Sequence, residues 1–532
     1  MQIPQVKALS TKSLWRFSIF NIALLLGLMF WLWQASQAVK VIQPQLPSDG
    51  KLQCVSYSPY YHPGQTPLNP NSFIQPSQID HDLATLSKQF NCVRIYSVSQ
   101  GLSYVPEAAS KLGMQVYVGA WIGWVAANND KELDLAISIA NKYPKTVKAL
   151  IVGNEVLLRG EQSEAAMQAY LEKAQRSTAV PVTYADVWEF WRKHPKLEAN
   201  VDFVTVHILP YWEDDPQAIT EATLHVVNVM NLLADTFKKT ILIGETGWPS
   251  VGRQRQGSEP SLINQASYLR GFLQLAHDHA WQYNLIEAID QPWKRDLEGT
   301  VGGYWGIFDT ELTPKFAFTG DVQPRHDIGA IALSGTLGFA LFLGLAFLFK
   351  TRQVFMKLGL CAAGIVFGIS AWLQIQYLIS ACRNTSEWLT LGGLAVVGWL
   401  LVIGLIWRIC QPNKHHALVL KTGVLILTVA AISASVLLIV DGRYRDFPIS
   451  LYTLPILLLS FSSVFLEIDV RPQRWLGYVL SSVLMAASLY CVYLETENIS
   501  AYYWLALCGL IVTALWPKSQ ASTAQASTPS LL

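Results

Sequence analysis

Between residues 50 and 320, short apolar runs alternate with longer stretches whose apolar residues recur every three or four positions. The runs are LQCVSYSPY (52–60), CVRIYSV (92–98), MQVYVGAWI (114–122), VKALIVGNE (147–155), VPVTYAD (180–186), DFVTVHILPY (202–211), TILIGETGW (240–248) and LIEAIDQPW (285–293). Their length and near-continuous apolar character suit strands buried on both faces. The stretches between them, among them QIDHDLATLSKQF, DLAISIANKY, EAAMQAYLEKAQR and QASYLRGFLQLAHDHA, carry helical spacing. Eight strand-then-helix units in about 270 residues predict an α/β fold, a (β/α)8 TIM barrel. A doubly wound open sheet is the alternative, disfavoured because the first strand-to-helix turn holds no glycine-rich phosphate loop.

From Ile328 onward the pattern changes to long uncharged segments, at 328–349, 358–381, 388–407, 417–440, 448–466, 475–494 and 500–516, with one more near the N-terminus at 17–34. Most have the length a helix needs to cross a bilayer. The N-terminal segment reads as a retained anchor rather than a cleaved signal peptide: its apolar run is long, Trp31 and Trp33 suit an interface, and no small-x-small cleavage site follows. Lys7, Lys12 and Arg16 before it predict a cytoplasmic N-terminus and an exported 50–320 region. The expected organisation is 1–49 cytoplasmic N-terminus, anchor and linker; 50–320 barrel; 321–517 a multi-span, all-α transmembrane domain of seven helices; and 518–532 a disordered cytoplasmic tail. The expected location is the inner membrane, multi-pass, with the barrel periplasmic or extracellular.

Composition agrees with a membrane protein: of 532 residues, 51% are hydrophobic and 14% charged. A net charge of +1 without any long basic run argues against nucleic acid as a partner. Apart from Lys421 near the start of 417–440, the seven C-terminal segments contain no Asp, Glu, Lys or Arg, which argues against a coupled pump and leaves anchoring or partner docking. Gln374 and Gln376 either line a path through the membrane or join helices. The seven cysteines form no metal-ligand spacing, so neither metal nor cofactor is expected. Cys54 and Cys92 would begin neighbouring strands, and two buried thiols are favoured there over a disulfide.

In a TIM barrel the chemistry sits where strands end. The polar and aromatic residues at those ends are Tyr57, Tyr60, Arg94, Tyr96, Trp121, Asn154, Glu155, Asp186, His207, Tyr211, Glu245, Trp248, Asp290, Gln291, Trp293 and Lys294. Glu155 and Glu245, on the fourth and seventh strands, can face one another across the pocket. Two opposed carboxylates among aromatic side chains suit cleavage of a glycosidic bond, one protonating the leaving oxygen while the other attacks or activates water. The alternative is that each carboxylate is structural, capping a helix or pairing with a buried arginine. Partial burial and a second carboxylate should raise the pKa of the acid, and donors such as Arg94, Tyr96 or His207 should lower that of the nucleophile.

The motifs VGNEVLLR, GETGWPS and RIYS, with GGYWGIFDTELTPK after the last strand, resemble glycoside hydrolase family 17, the β-1,3-glucanases and related glucanosyltransferases, over roughly residues 52–318. The resemblance implies a retaining reaction on β-1,3-glucan, with Glu155 as acid/base and Glu245 as nucleophile. It implies Asn154 on the 2-hydroxyl and Tyr57 and Tyr96 around the cleaved sugar; their positions at strand ends make Arg94, His207, Tyr211, Trp248, Trp293 and Lys294 the further substrate contacts expected. The sixth strand departs from the plant pattern, with His207 and Leu209 in HILPYW where an Asn-x-Tyr-Pro motif is usual. Gln291 stands where an acidic residue often precedes Lys294, and Glu298 either compensates or lies in a solvated loop. Trp188, Trp191 and Trp212 are placed along the cleft rim. Hydrolysis, transglycosylation that builds or branches β-1,3/1,6-glucan, and non-catalytic glucan sensing remain open. The partners implied are a β-glucan chain, the lipid bilayer and a membrane glucan synthase.

Overall fold

The computed structural model describes residues 9–351, 353–411 and 414–516, so the expected tail at 518–532 lies outside the described residues. The chain forms two compact units, one of residues 35–326 and one combining the segment ending at Gln34 with that beginning at Asp327.

The first unit is a closed barrel of eight parallel strands in sequence order. They are β1 (Leu52–Ser56), β2 (Phe90–Ile95), β3 (Gln115–Ala120), β4 (Val147–Asn154), β5 (Val182–Val187), β6 (Val204–His207), β7 (Ile241–Thr246) and β8 (Gln282–Leu285). β8 closes the ring by pairing with β1. Helices follow the first seven strands, among them Pro76–Leu86, Ala126–Lys142, Glu164–Ser177, Ile219–Thr236 and Leu262–Asp278. Ser163 and Ser261 cap two of them by accepting from the amides of Ala166 and Asn264. After β8 only short turns follow before residues 300–323. Valines, isoleucines and leucines on the outward strand faces pack against the helices as one continuous core.

The inward residues stack in layers, as strand alternation requires. The lowest gathers Cys54, Cys92, Tyr117, Ile151 and Leu242. Here the expectation of two free thiols is overturned: Cys54 and Cys92 stand opposite one another in the β1–β2 register, with Cα atoms 4.3 Å apart, and form a disulfide. Above them lies a polar layer in which Asn284 donates to Ser56 (2.8 Å) and to the Gly244 carbonyl (2.9 Å), and the Thr183 and Thr205 hydroxyls pair at 2.9 Å. This layer carries the site.

In the second unit the apolar segments form helices. Among the described residues six are long and apolar enough to cross a membrane, Thr11–Gln34, Ile328–Leu348, Val354–Ala381, Thr385–Cys410, His416–Val440 and Arg474–Leu494. Ile449–Phe465 and Ile499–Leu515 are shorter, at 17 residues each, the lower end of what crossing takes. Gly338, Gly364 and Gly368 bring two of these helices into backbone contact, since a Cβ on Gly338 would lie 2.1 Å from the Gly364 carbonyl oxygen. Gln374 joins helices, donating to the Ser450 carbonyl at 3.0 Å and accepting from Trp399.

Candidate active site

The end of β4 is a tight backbone turn. Gly153 has φ 83° and Glu155 φ 53°, a left-handed conformation that a carboxylate residue seldom adopts. The Glu155 amide is held to the Ala185 carbonyl of β5 at 2.8 Å, which turns the side chain over the barrel mouth. Glu245, near the end of β7, is buried, whereas the Glu155 side chain keeps 23% of its surface exposed. His207 from β6 lies between them: its Nδ1 is 2.8 Å from Glu155 Oε1, and its Nε2 is 3.5 Å from Glu245 Oε1. One carboxylate oxygen of each glutamate and a His207 nitrogen all lie within 4.8 Å of one another.

Arg94 fixes the constellation from below. Its Nη1 donates to the Gly244 carbonyl (2.7 Å) and to Glu245 Oε1 (3.3 Å), and its Nη2 donates to Asn154 Oδ1 (2.5 Å). Gly244 makes this possible, because a Cβ there would stand 2.4 Å from Thr205 Cγ2 and 3.3 Å from Nη1. Nη1 also lies 3.2 Å from His207 Nε2. A guanidinium can only donate, so a neutral His207 accepts at Nε2 and donates from Nδ1 to Glu155. The Tyr96 hydroxyl adds a 2.8 Å bond to Glu245 Oε1 and is itself held by Ser56. One oxygen of Glu245 is thus surrounded by donors, as an anion requires.

The electrostatics of Glu155 differ from the sequence expectation. Burial does push its carboxyl up, but the His207 hydrogen bond, with Arg159 and Arg94 at longer range, outweighs burial and holds it below the usual carboxylate range. Glu155, His207 and Glu245 are the one His/Cys/Asp/Glu grouping among the described residues with metal-ligand proximity, yet the His207 nitrogens already face Glu155 and Arg94.

Beside Glu245, Lys294 donates to both oxygens of Glu287, at 2.8 and 2.9 Å. Glu287 is fully buried, and burial pushes it up to about 7 against the pull of Lys294. The sequence reading missed Glu287, although an acidic residue inside the apolar run LIEAID was the available signal. Gln291 has a structural role: it donates to the Ser58 and Ile289 carbonyls and accepts from Trp293 Nε1. Glu298 is half-buried, with burial raising its carboxyl and Lys294 opposing that rise. Asp290 pairs with Lys315 at 2.6 Å, and burial pushes it up to about 6.

The structure brings Arg94, Tyr96, Asn154, Glu155, His207 and Glu245 together, with Lys294 and the half-buried Trp293 alongside. Four other expected contacts do not reach the cleft. Tyr57 is fully buried and donates to Asp82 of Pro76–Leu86 at 2.7 Å. Tyr211 and Trp248 are also fully buried; they bond the Arg253 and Glu259 carbonyls and pack edge to face with ring centroids 5.8 Å apart. Trp191, expected at the rim, lies under β6 and donates to the Thr205 carbonyl. Strand alternation explains Tyr57, one position beyond inward-facing Ser56. Tyr211 and Trp248 belong to loops, and Trp191 to the short helix Trp188–Lys193, whose paths the strand pattern does not specify.

Residues 54–306 match the family described as the BtgE/BtgC glycoside hydrolase domain. Among characterised relatives, a glucan 1,3-β-glucosidase of Candida albicans is 27% identical over 273 residues, covering 45% of this chain and 86% of the relative. A probable β-glucosidase of Aspergillus fumigatus is 26% identical over 242 residues, covering 44% of this chain and 42% of its own length. A glycoside hydrolase family 17 β-1,3-glucanosyltransferase from Rhizomucor miehei is similar in structure, with a TM-score of 0.44, 26% identity, and coverage of 49% of this chain and 94% of that one.

Proposed function

We propose that the barrel is a domain of the family 17-like β-1,3-glucanases and that the chain is a membrane-anchored enzyme that cleaves β-1,3-glucan with retention and passes the released glucosyl unit to water or to another sugar. The observation that carries this reading is the pair Glu155 and Glu245, with one oxygen of each within 4.8 Å and unlike surroundings. Retaining glycosidases hold their carboxyl groups about 5–5.5 Å apart, and inverting ones about 6.5–9.5 Å.

In this mechanism Glu245, ringed by Tyr96 and Arg94, attacks the anomeric carbon as Glu155 gives a proton to the departing oxygen. Glu155 then accepts a proton from the incoming hydroxyl. Asn154, its Oδ1 held by Arg94, presents its amide N–H to the 2-hydroxyl. The Lys294–Glu287 pair supplies a fixed charge beside the donor sugar. Incubating the full-length protein in detergent with β-1,3-oligosaccharides should give products of changed length. Shorter products alone mean hydrolysis, products longer than the substrate mean transfer, and unchanged substrate would refute the enzyme reading.

The six long apolar helices and the basic N-terminal residues support an inner-membrane protein whose barrel lies outside the cytoplasm. A reporter inserted after Gly320 should be active only in the exported state. Cytoplasmic activity there would reverse the orientation.

A further inference from the structure

The loop joining β3 to helix Ala126–Lys142 places two indoles in water. Trp121 is 41% exposed and Trp124 is 70% exposed. Large aromatic side chains normally leave solvent when a fold lets them, and a mobile loop could have tucked them away. This loop is held rigid instead. The buried Asn129 side chain accepts from the Gly123 amide and donates to the Gly123 carbonyl, both at 2.8 Å, and Gln162 donates to the same carbonyl at 2.7 Å. Arg159 lies over one face of Trp121 with its guanidinium carbon 4.5 Å from the ring centre. The same guanidinium bonds the Ile122 and Asn154 carbonyls and pairs with Glu161 at 2.7 Å. An ordered aromatic surface, backed by a cation and edged by a carboxylate, suits a pyranose ring: its C–H face stacks and its hydroxyls find a donor and an acceptor.

The attachment of this surface determines which sugar it meets. Arg159 is four residues past Glu155, and its amide donates to the Glu155 carbonyl at 3.0 Å. The loop is therefore tied to the end of β4, on the acid/base side. The groups around Glu245 come from β2 and the residue just past it, from β6 and from the segment after β8. In a double displacement the nucleophile holds the donor sugar, while the acid/base touches the oxygen that leads to the leaving or incoming chain.

We propose that Trp121 and Trp124 form an acceptor subsite for a β-linked glucosyl chain, and that this subsite directs the enzyme toward transfer. The inference rests on the retaining glucanase reading above. In the step concerned, an acceptor hydroxyl oxygen attacks the anomeric carbon of the glycosyl-enzyme. The bond from that carbon to the Glu245 oxygen breaks with its electron pair, regenerating the carboxylate, and the hydroxyl proton passes to Glu155. A chain seated on the indoles brings its hydroxyl to that carbon ahead of bulk water at low entropic cost, because the platform is already ordered.

The test is the partition of one intermediate. Full-length protein receives β-laminaribiosyl fluoride as donor, whose leaving group is too small to use the platform, and laminaritriose as acceptor. The ratio of transfer product to free laminaribiose is measured for each form, so overall losses in rate cancel. Trp124→Ala and Trp121→Ala should each lower that ratio about two- to tenfold, the range one aromatic contact supplies, and Trp124→Phe should restore much of it. Trp124 is exposed enough that its removal leaves a folded protein to assay even if Trp121→Ala does not. Ratios that stay at the wild-type value in the assayable variants, or a wild type that only hydrolyses, would overturn the acceptor subsite alone. A wild type that releases no fluoride would overturn the glucanase reading and the subsite with it.

Discussion

Glu245→Ala is expected to abolish turnover on every β-glucoside, activated or not, with a loss beyond about 10⁴-fold, the upper end of what general acid-base help alone supplies. Neighbouring carboxylates are already engaged: Glu287 is locked to Lys294 by two short bonds, and Glu155 is held by His207. The alanine variant leaves Arg94 buried with one anionic partner fewer, and breaking a buried pair in this way costs about 3–5 kcal/mol. A melting curve should accompany the assay for that reason. Glu245→Gln offers a second form, since the amide oxygen can still accept from Tyr96 and Arg94 while being unable to make the glycosyl ester. Azide should restore an activated substrate in the alanine form and yield the inverted α-glycosyl azide. Near-normal turnover of a β-1,3-glucan by a folded Glu245→Gln protein would remove Glu245 from the chemistry.

Glu155→Ala should behave differently, and the contrast separates the two roles. An activated substrate needs little acid help, so its first step survives, whereas unactivated β-1,3-glucan should lose about 10²- to 10⁴-fold. Added azide should accelerate release with retained β configuration, replacing the missing base. The hydrogen bond from His207 adds a pH consequence. Because Glu155 is held below the usual carboxylate range, its protonated fraction grows as pH falls from neutrality. Cleavage of poor leaving groups by the wild type should therefore favour the acid side of neutrality, and Glu155→Ala should flatten that dependence. A wild-type profile rising steadily above neutral pH would contradict Glu155 as the proton donor.

The barrel was legible because eight apolar runs separated by helical periods leave few other topologies, and both catalytic candidates were legible because each ends such a run. Alternation along a strand also determines facing, and it would have turned Tyr57 outward had Ser56 been assigned to the pocket. Tyr211, Trp248 and Trp191 were misplaced for another reason. Aromatic residues beyond the strand ends serve sugar binding or packing equally well, and only the path of the chain, here bonding each to a backbone carbonyl, distinguishes the two. The pKa of Glu155 was misjudged because burial was weighed without the histidine, which lies 52 residues away in sequence. Glu287 was not legible because its partner Lys294 lies seven residues further on, beyond the end of β8, and only the fold brings the two together. The Cys54–Cys92 bond depended on a strand register that spacing alone does not give.

Arg94 also makes the site an indicator of cooperativity. Its bonds reach Asn154, His207 and Glu245, residues 60, 113 and 151 positions further along the chain. A half-barrel ending after β4 would offer this guanidinium Asn154 but neither Gly244 nor Glu245, leaving a cation in an apolar ring without its counter-charge. Partly assembled states are penalised for that reason, and the penalty lifts only when β7 arrives. Contacts so distant in sequence form late and slowly. Arg94, which holds Glu245, thus also couples the two halves of the barrel, so that the arrangement around Glu245 and the closing of the ring are gained in the same event.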